Sequence, residues 1–390
     1  MNPSSSGWIK KLLKIASTND AYLKLSEKAF YNELKLSGFI YGSNLSVVNN
    51  VVDKGDLTDE ELCKVNLLLA LHYIYNAKPS KESFADSVIN FYKNFDQPKS
   101  SFFDGLLGEK KSHAQVEVII NKRIHIDDNI LTKNFSYFIT NALLYIDVLA
   151  YQKFLITNTI SEKYIQQLEI AIETITLNVF DSKVKKTKYD ESLIKLFEAS
   201  RRYQSTVSYH YNDVLKYLKK PLEKQYIIDI ACIASWSDKI IDIDEHKFLV
   251  QLSKDLHIKP EVVEQSIKDI NTFYILNSDQ IPLLSSKNMA KSFYDNSSKM
   301  VSKLISRNSK RLMKELRESK ELMVLLSQST SRELTEEEQK KMQEQLMDII
   351  KSIPSLAIFM LPGGGILLPL FVKFIPKLLP SAFDENRIEE

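Results

Sequence analysis

Glycine is scarce in this chain, nine in 390 residues, and cysteine scarcer still, with only Cys63 and Cys232. Each cysteine sits in an apolar helical pattern, so the pair does not make a disulfide framework and a reducing compartment fits. Few glycines beside abundant Leu, Lys, Glu and Ile argue against strands and for helices. An excess of one charge is also lacking. The 52 Lys and Arg nearly balance 50 Asp and Glu, a formal +2, which gives no sign of DNA as a partner. The six histidines are scattered, with no pair at four-residue spacing. No nucleophile elbow, phosphate loop, dinucleotide fingerprint or metal-binding Cys/His spacing occurs. Gly363, Gly364 and Gly365 lack the following Lys-Ser/Thr and the preceding strand of a phosphate loop. An enzyme is the least supported class, and no cofactor is expected. A secretory signal is missing too, because lysines break the apolar part of MNPSSSGWIKKLLKIA.

Helical periodicity fills the rest. The chain is long enough for two or three domains, and its pattern predicts an all-α protein with an N-terminal bundle. Helices are expected near residues 22–37, 59–76, 81–95, 115–122 and 137–154, then 162–180 and 192–203. The strongest follows Leu57 and Thr58, and its run from Val65 to Ile74 is apolar nearly all round, as in a buried bundle helix. His72 lies in that run and reads as a satisfied core histidine. At the N-terminus Trp8, Leu12 and Ile15 share one face, with Lys10, Lys11 and Lys14 on the others. Such a helix docks on its own domain or lies on an anionic membrane surface.

Between residues 288 and 326 Met300, Leu304, Leu312, Leu316 and Leu322 form an apolar stripe. Lys299, Lys303, Arg307, Lys310, Arg311 and Lys314 dominate the polar side, with Arg317 and Lys320 beyond them, and Glu315, Glu318 and Glu321 dilute the later half. A solvated amphipathic helix explains this, and so does a basic face for anionic lipid headgroups or ribosomal RNA.

The C-terminal stretch is the most distinctive. Thr335 and Glu338 have capping-box spacing, and Met342, Leu346, Ile349, Ile350 and Ile353 recur at helical intervals. Between Lys351 and Lys373 no side chain ionises, a gap long enough for a spanning helix of roughly 20 residues. Its large apolar side chains would favour insertion by roughly 5 kcal/mol in all. One interior proline costs a helix about 3 kcal/mol, so a straight span is marginal. Two shorter apolar pieces joined at Pro362 to Gly365 fit better, as a bent or re-entrant membrane segment or as a hairpin in a protein core.

LTEEEQKKMQEQLMDIIKSIPS and the proline-rich run after it resemble the transmembrane module of the LETM family. Leu334, Thr335, Glu338, Asp348, Lys351, Pro354, Pro362, Leu368, Pro369, Pro376, Leu379, Pro380, Ser381 and Phe383 carry the likeness. The layout resembles the bacterial LETM-related biofilm-associated proteins. The resemblance implies membrane lipids and the ribosome as partners, at the cytoplasmic membrane of a bacterium with the soluble part on the cytoplasmic side. It also implies proton-coupled cation exchange as an alternative, with Asp348 as the carboxylate and Lys351 one turn on. The chain departs from the family at Gly365, where a glutamate is usual. Family members also continue beyond LPS-x-F into a large soluble domain credited with ribosome binding, whereas seven residues follow Phe383 here.

One further unit, over residues 215–273, sets an apolar helix, an acidic turn and a second helix in series. Asp238, Ile241, Asp242 and Glu245 resemble the acidic linker of the TerB-like family, with Lys239 where a glycine is usual. Asp238, Asp242, Asp244 and Glu245 could supply oxygen ligands to a divalent cation. The same residues could simply cap the next helix. The expected partition is a bundle over 1–182, a TerB-like unit over 190–284, a basic helical region over 286–333, a LETM-like module over 334–384 and an acidic tail over 385–390. A non-enzymatic membrane-associated protein that binds ribosomes or scaffolds the membrane is the first expectation. Cation transport is the second, and a soluble helical scaffold the third.

Overall fold

A computed structural model of the chain describes residues 1–95, 112–124, 142–183, 186, 191–192, 194–195, 210–236, 241–277, 280, 289–329, 331–353, 356, 359 and 367–379. Among these residues the regular structure is entirely helical, as the composition requires. Among the described residues the α-helices up to residue 276 are α1 (Trp8–Thr18), α2 (Glu27–Leu36), α3 (Asp59–Ala77), α4 (Phe84–Phe95), α5 (Ser112–Ile124), α6 (Tyr145–Thr157), α7 (Glu162–Ser182), α8 (Tyr211–Leu215), α9 (Pro221–Ser235), α10 (Ile243–Asp255) and α11 (Pro260–Leu276). Five more follow: α12 (Met289–Arg307), α13 (Ser309–Glu318), α14 (Lys320–Gln328), α15 (Glu336–Ser352) and α16 (Leu368–Leu378).

Helix α3 is the axis of the bundle. Thr58 and Glu61 close a capping box at its start, and every residue from Leu62 to Leu71 is buried. It packs on α4, α5 and α6, so a helix apolar on all sides has neighbours on all sides. His72 is half-buried, with Nδ1 2.5 Å from the Tyr22 hydroxyl and its ring edge-on to Phe84. Helix α1 buries Trp8, Ile9, Leu12 and Ala16 against the bundle, where it packs on α5. Its N-terminal end is held there by Glu117, which accepts the Gly7 and Ile9 amides at 2.8 and 3.3 Å. The apolar face of this helix is therefore covered by the protein itself.

Two buried polar knots tie helices together. Arg123 of α5 makes a forked pair with Asp147 of α6, at 2.7 and 2.6 Å, and Tyr92 of α4 donates to the same carboxylate at 2.8 Å. Lys35 of α2 lies 3.4 Å from Asp229 of α9 and 2.5 Å from Asp269 of α11, while Tyr31 donates to Asp229 at 2.8 Å. Burial pulls the Lys35 ammonium down, but Asp229 and then Asp269 outweigh it and hold the group above the ordinary lysine value. The loop after α2 turns on Gly38, at φ +85°, where a Cβ would stand 1.8 Å from the Ser43 carbonyl oxygen.

The second half of this body stacks α9 on α7, α10 and α11. Downstream, α12 packs on α16, α14 packs on both α15 and α16, and α13 bridges α12 and α14. The basic region and the proline-punctuated tail thus share one small core.

Candidate nucleic-acid interface

Helices α12 and α13 form one bent rod. Asn308 joins them, donating its amide to the Leu304 carbonyl and accepting the Leu312 amide at 2.8 Å, so the helical ladder runs through the joint. Met300, Val301, Leu304, Ile305, Leu312 and Leu316 are buried along one side. Lys299, Arg307, Lys310, Arg311 and Lys314 are exposed on the other, and Lys303 is half-exposed. At about 100° per residue these six cations fall within roughly a third of the helix circumference. From residue 289 to 314 there are seven Lys or Arg and one acidic residue, Asp295. Lys299, Lys303, Lys310, Arg311 and Lys314 make no ion pair with any described residue. The chain's near-zero total hides this local concentration.

Helix α16 covers the apolar side of α12, while α13 packs on α12 and α14. Pro369 opens its first turn, where a missing N–H is harmless, and Pro376 sits within its last. Leu368, Leu370, Phe371, Val372 and Ile375 are buried, and Lys373 and Lys377 point out. Lys373 donates to the Tyr294 hydroxyl of α12 at 2.8 Å. Phe359 and Phe371, on either side of the triple glycine, bring their ring centres within 4.8 Å. On a continuous helix twelve residues would separate them by about 18 Å. Phe359 and Phe371 therefore do not lie along one straight helix. Among the described residues no helix is long and apolar enough to cross a membrane.

Helix α15 begins at the Thr335–Glu338 capping box, with the Thr335 amide 2.8 Å from Glu338. Arg332 grips the same carboxylate at 2.7 Å and, with the Thr335 amide, draws its pKa down to about 2. Asp348 is 78% exposed, near the end of the helix, and pairs with Lys351 at 3.3 Å. A carboxylate so placed faces solvent. Pro354, Pro362, Gly363, Gly364, Gly365 and Pro380 lie outside the described residues.

The acidic turn before α10 is a helix cap. Asp242 accepts the Asp244 and Glu245 amides at 2.9 and 2.8 Å, and Glu245 returns a bond to the Asp242 amide at 2.9 Å. Glu245 is buried 3.6 Å from Lys183, and Asp244 pairs with Lys247 at 2.8 Å. Each of these carboxylates thus has a partner in this chain. Asp238 lies outside the described residues, and no cluster of three metal-ligating side chains occurs among those described.

Sequence reasoning found the basic stripe and the tail separately and missed that each is the other's cover. Lys373 and Tyr294 carried no signal of their pairing, because 79 residues separate them. Fold and site together define an all-α protein with a basic, self-covered helical unit at its C-terminal end. Residues 334–390 match the family described as LETM1-like, RBD. That likeness spans the C-terminal segment alone, under half of the chain. No curated protein and no solved structure matches it.

Proposed function

We propose that this is a non-enzymatic protein whose C-terminal helical unit binds the ribosome through the basic face of α12 and α13. The carrying observation is the stripe of six cations, five exposed and Lys303 half-exposed, while α16 packs behind α12 and α14 behind α13. A cover of this kind leaves charge as the surface a partner meets. The family matched by residues 334–390 bears the designation RBD, and α16 of that segment packs on α12, which carries Lys299, Lys303 and Arg307 outside the matched residues. Binding through phosphates should weaken steeply with salt.

Sedimentation of the full chain with ribosomes at graded salt tests this. Association at low salt that is lost as salt rises is expected, and Lys303→Glu with Lys310→Glu should abolish it at physiological salt. Cosedimentation indifferent to both would refute the reading.

Anionic lipid is the second reading, supported by the uncharged run between Lys351 and Lys373. It puts the chain on the cytoplasmic face of a bacterial membrane, with the stripe on the headgroups. Flotation with vesicles containing anionic lipid tests it, since protein left wholly at the bottom of the gradient removes it.

A further inference from the structure

If the stripe meets a ribosome, its chemistry bears on which part of the ribosome it fits. Resting on the ribosome-binding reading, we infer that Lys299, Lys303, Arg307, Lys310, Arg311 and Lys314 grip the phosphate backbone of double-stranded RNA without reading its bases.

Three observations carry this. First, between Lys299 and Lys314 the described outer face of α12 and α13 carries ammonium and guanidinium groups, with carboxylates beyond it at Glu315 and Glu318, and no exposed aromatic ring. Single strands are held largely by stacking on aromatic platforms, which the described side chains of this face do not offer. The nearest described aromatic, Tyr294, is half-buried and its hydroxyl is engaged by Lys373. Second, the cations span Lys299 to Lys314, about 23 Å at 1.5 Å per residue. Over that length a helix is rigid, and Asn308 holds the joint through its side-chain bond to the Leu304 carbonyl at 2.7 Å. Fixed charges match a partner that is itself stiff, whereas a flexible strand would lose conformational entropy to meet them. Third, the major groove of A-form RNA is too deep and narrow for side chains to read, while phosphates line both its edges. The stretch from Lys299 to Lys314, whose ionised side chains are all cations, meets two rows of negative charge when laid along those edges.

The test is fluorescence anisotropy of the full chain with two RNA duplexes of roughly 20 base pairs and unrelated sequence. Their separated single strands and vesicles of anionic lipid serve as comparisons. Both duplexes should bind alike, and at least about tenfold tighter than the strands. Six phosphate contacts give a log–log salt slope of about −5. The variant Lys303→Ala, Lys310→Ala, Lys314→Ala should lower that slope by about 3 while its circular dichroism and melting stay unchanged. If that variant melts early, Lys299→Ala with Arg311→Ala carries the same test, with a reduction of about 2.

A preference for one sequence or for single strands, or an unchanged slope in the variants, overturns the inference. Ribosome sedimentation that persists while duplexes bind no better than strands overturns it and leaves the ribosome reading standing. Loss of both removes both. Capture by vesicles with no binding to duplex also overturns it, and points to lipid instead.

Discussion

His72 shows how a single buried group sets a pH limit. Its half-buried ring is held by Tyr22 and Phe84, and burial lowers its pKa from 6.5 to about 4. The unfolded chain takes up the proton below about 6.5, whereas the folded chain resists it until about 4. Stability is therefore full above that window and falls as pH drops through it. Nuclear magnetic resonance titration of the ring should give a midpoint near 4, and His72→Gln should flatten this part of the stability profile. Lys35 is the second residue of this kind. Removing it strands Asp229, which is fully buried, so Lys35→Met should cost about 3–5 kcal/mol in urea unfolding. Adding Asp229→Asn should recover part of that loss, because the stranded charge is what costs.

At the scale of elements, α16 matters most. Its apolar face meets α12 and α14, and Phe371 is fully buried beside Phe359. Truncating it leaves a cavity in that core. Phe371→Ala should cost the C-terminal unit about 3–5 kcal/mol. Hydrogen exchange should quicken in α12, α14 and α16, with α3 still protected. Asp348 belongs to the opposite case. Exposed and paired only with Lys351, it should tolerate Asp348→Asn with a stability change within about 0.5 kcal/mol. A larger change would mean that the carboxylate has work this geometry does not show.

For the molecule as a whole, charge distribution outweighs total charge. Fifty-two basic and fifty acidic residues nearly cancel, yet the rod from 289 to 314 is almost uniformly cationic. Its association with a polyanion should then depend on salt as though the rest of the chain were absent. Raising salt from about 50 to 200 mM should weaken binding by roughly a thousandfold, if about six phosphates are contacted. Titration of ribosomes at those two salts measures this directly.

Much of this was legible before any coordinates. The caps at Thr58, Thr335 and Asp242 are local devices, made by side chains bonding to backbone two or three residues away. The face of α12 and α13 that carries charge follows from 3.6-residue periodicity alone. So does the burial of α3, whose apolar circumference leaves no wet side. What periodicity cannot name is the surface that covers an apolar stripe. Lipid, another chain and a distant helix of the same chain all satisfy the same hydrophobic requirement. Only the packing of α16 on α12, and of Phe371 on Phe359 across the glycines, decided among them for the described part of the tail. Helix positions and caps come from contacts a few residues apart, so the amino-acid order determined them by itself. The cover on each apolar face comes from contacts tens of residues apart, and only the tertiary structure chose it.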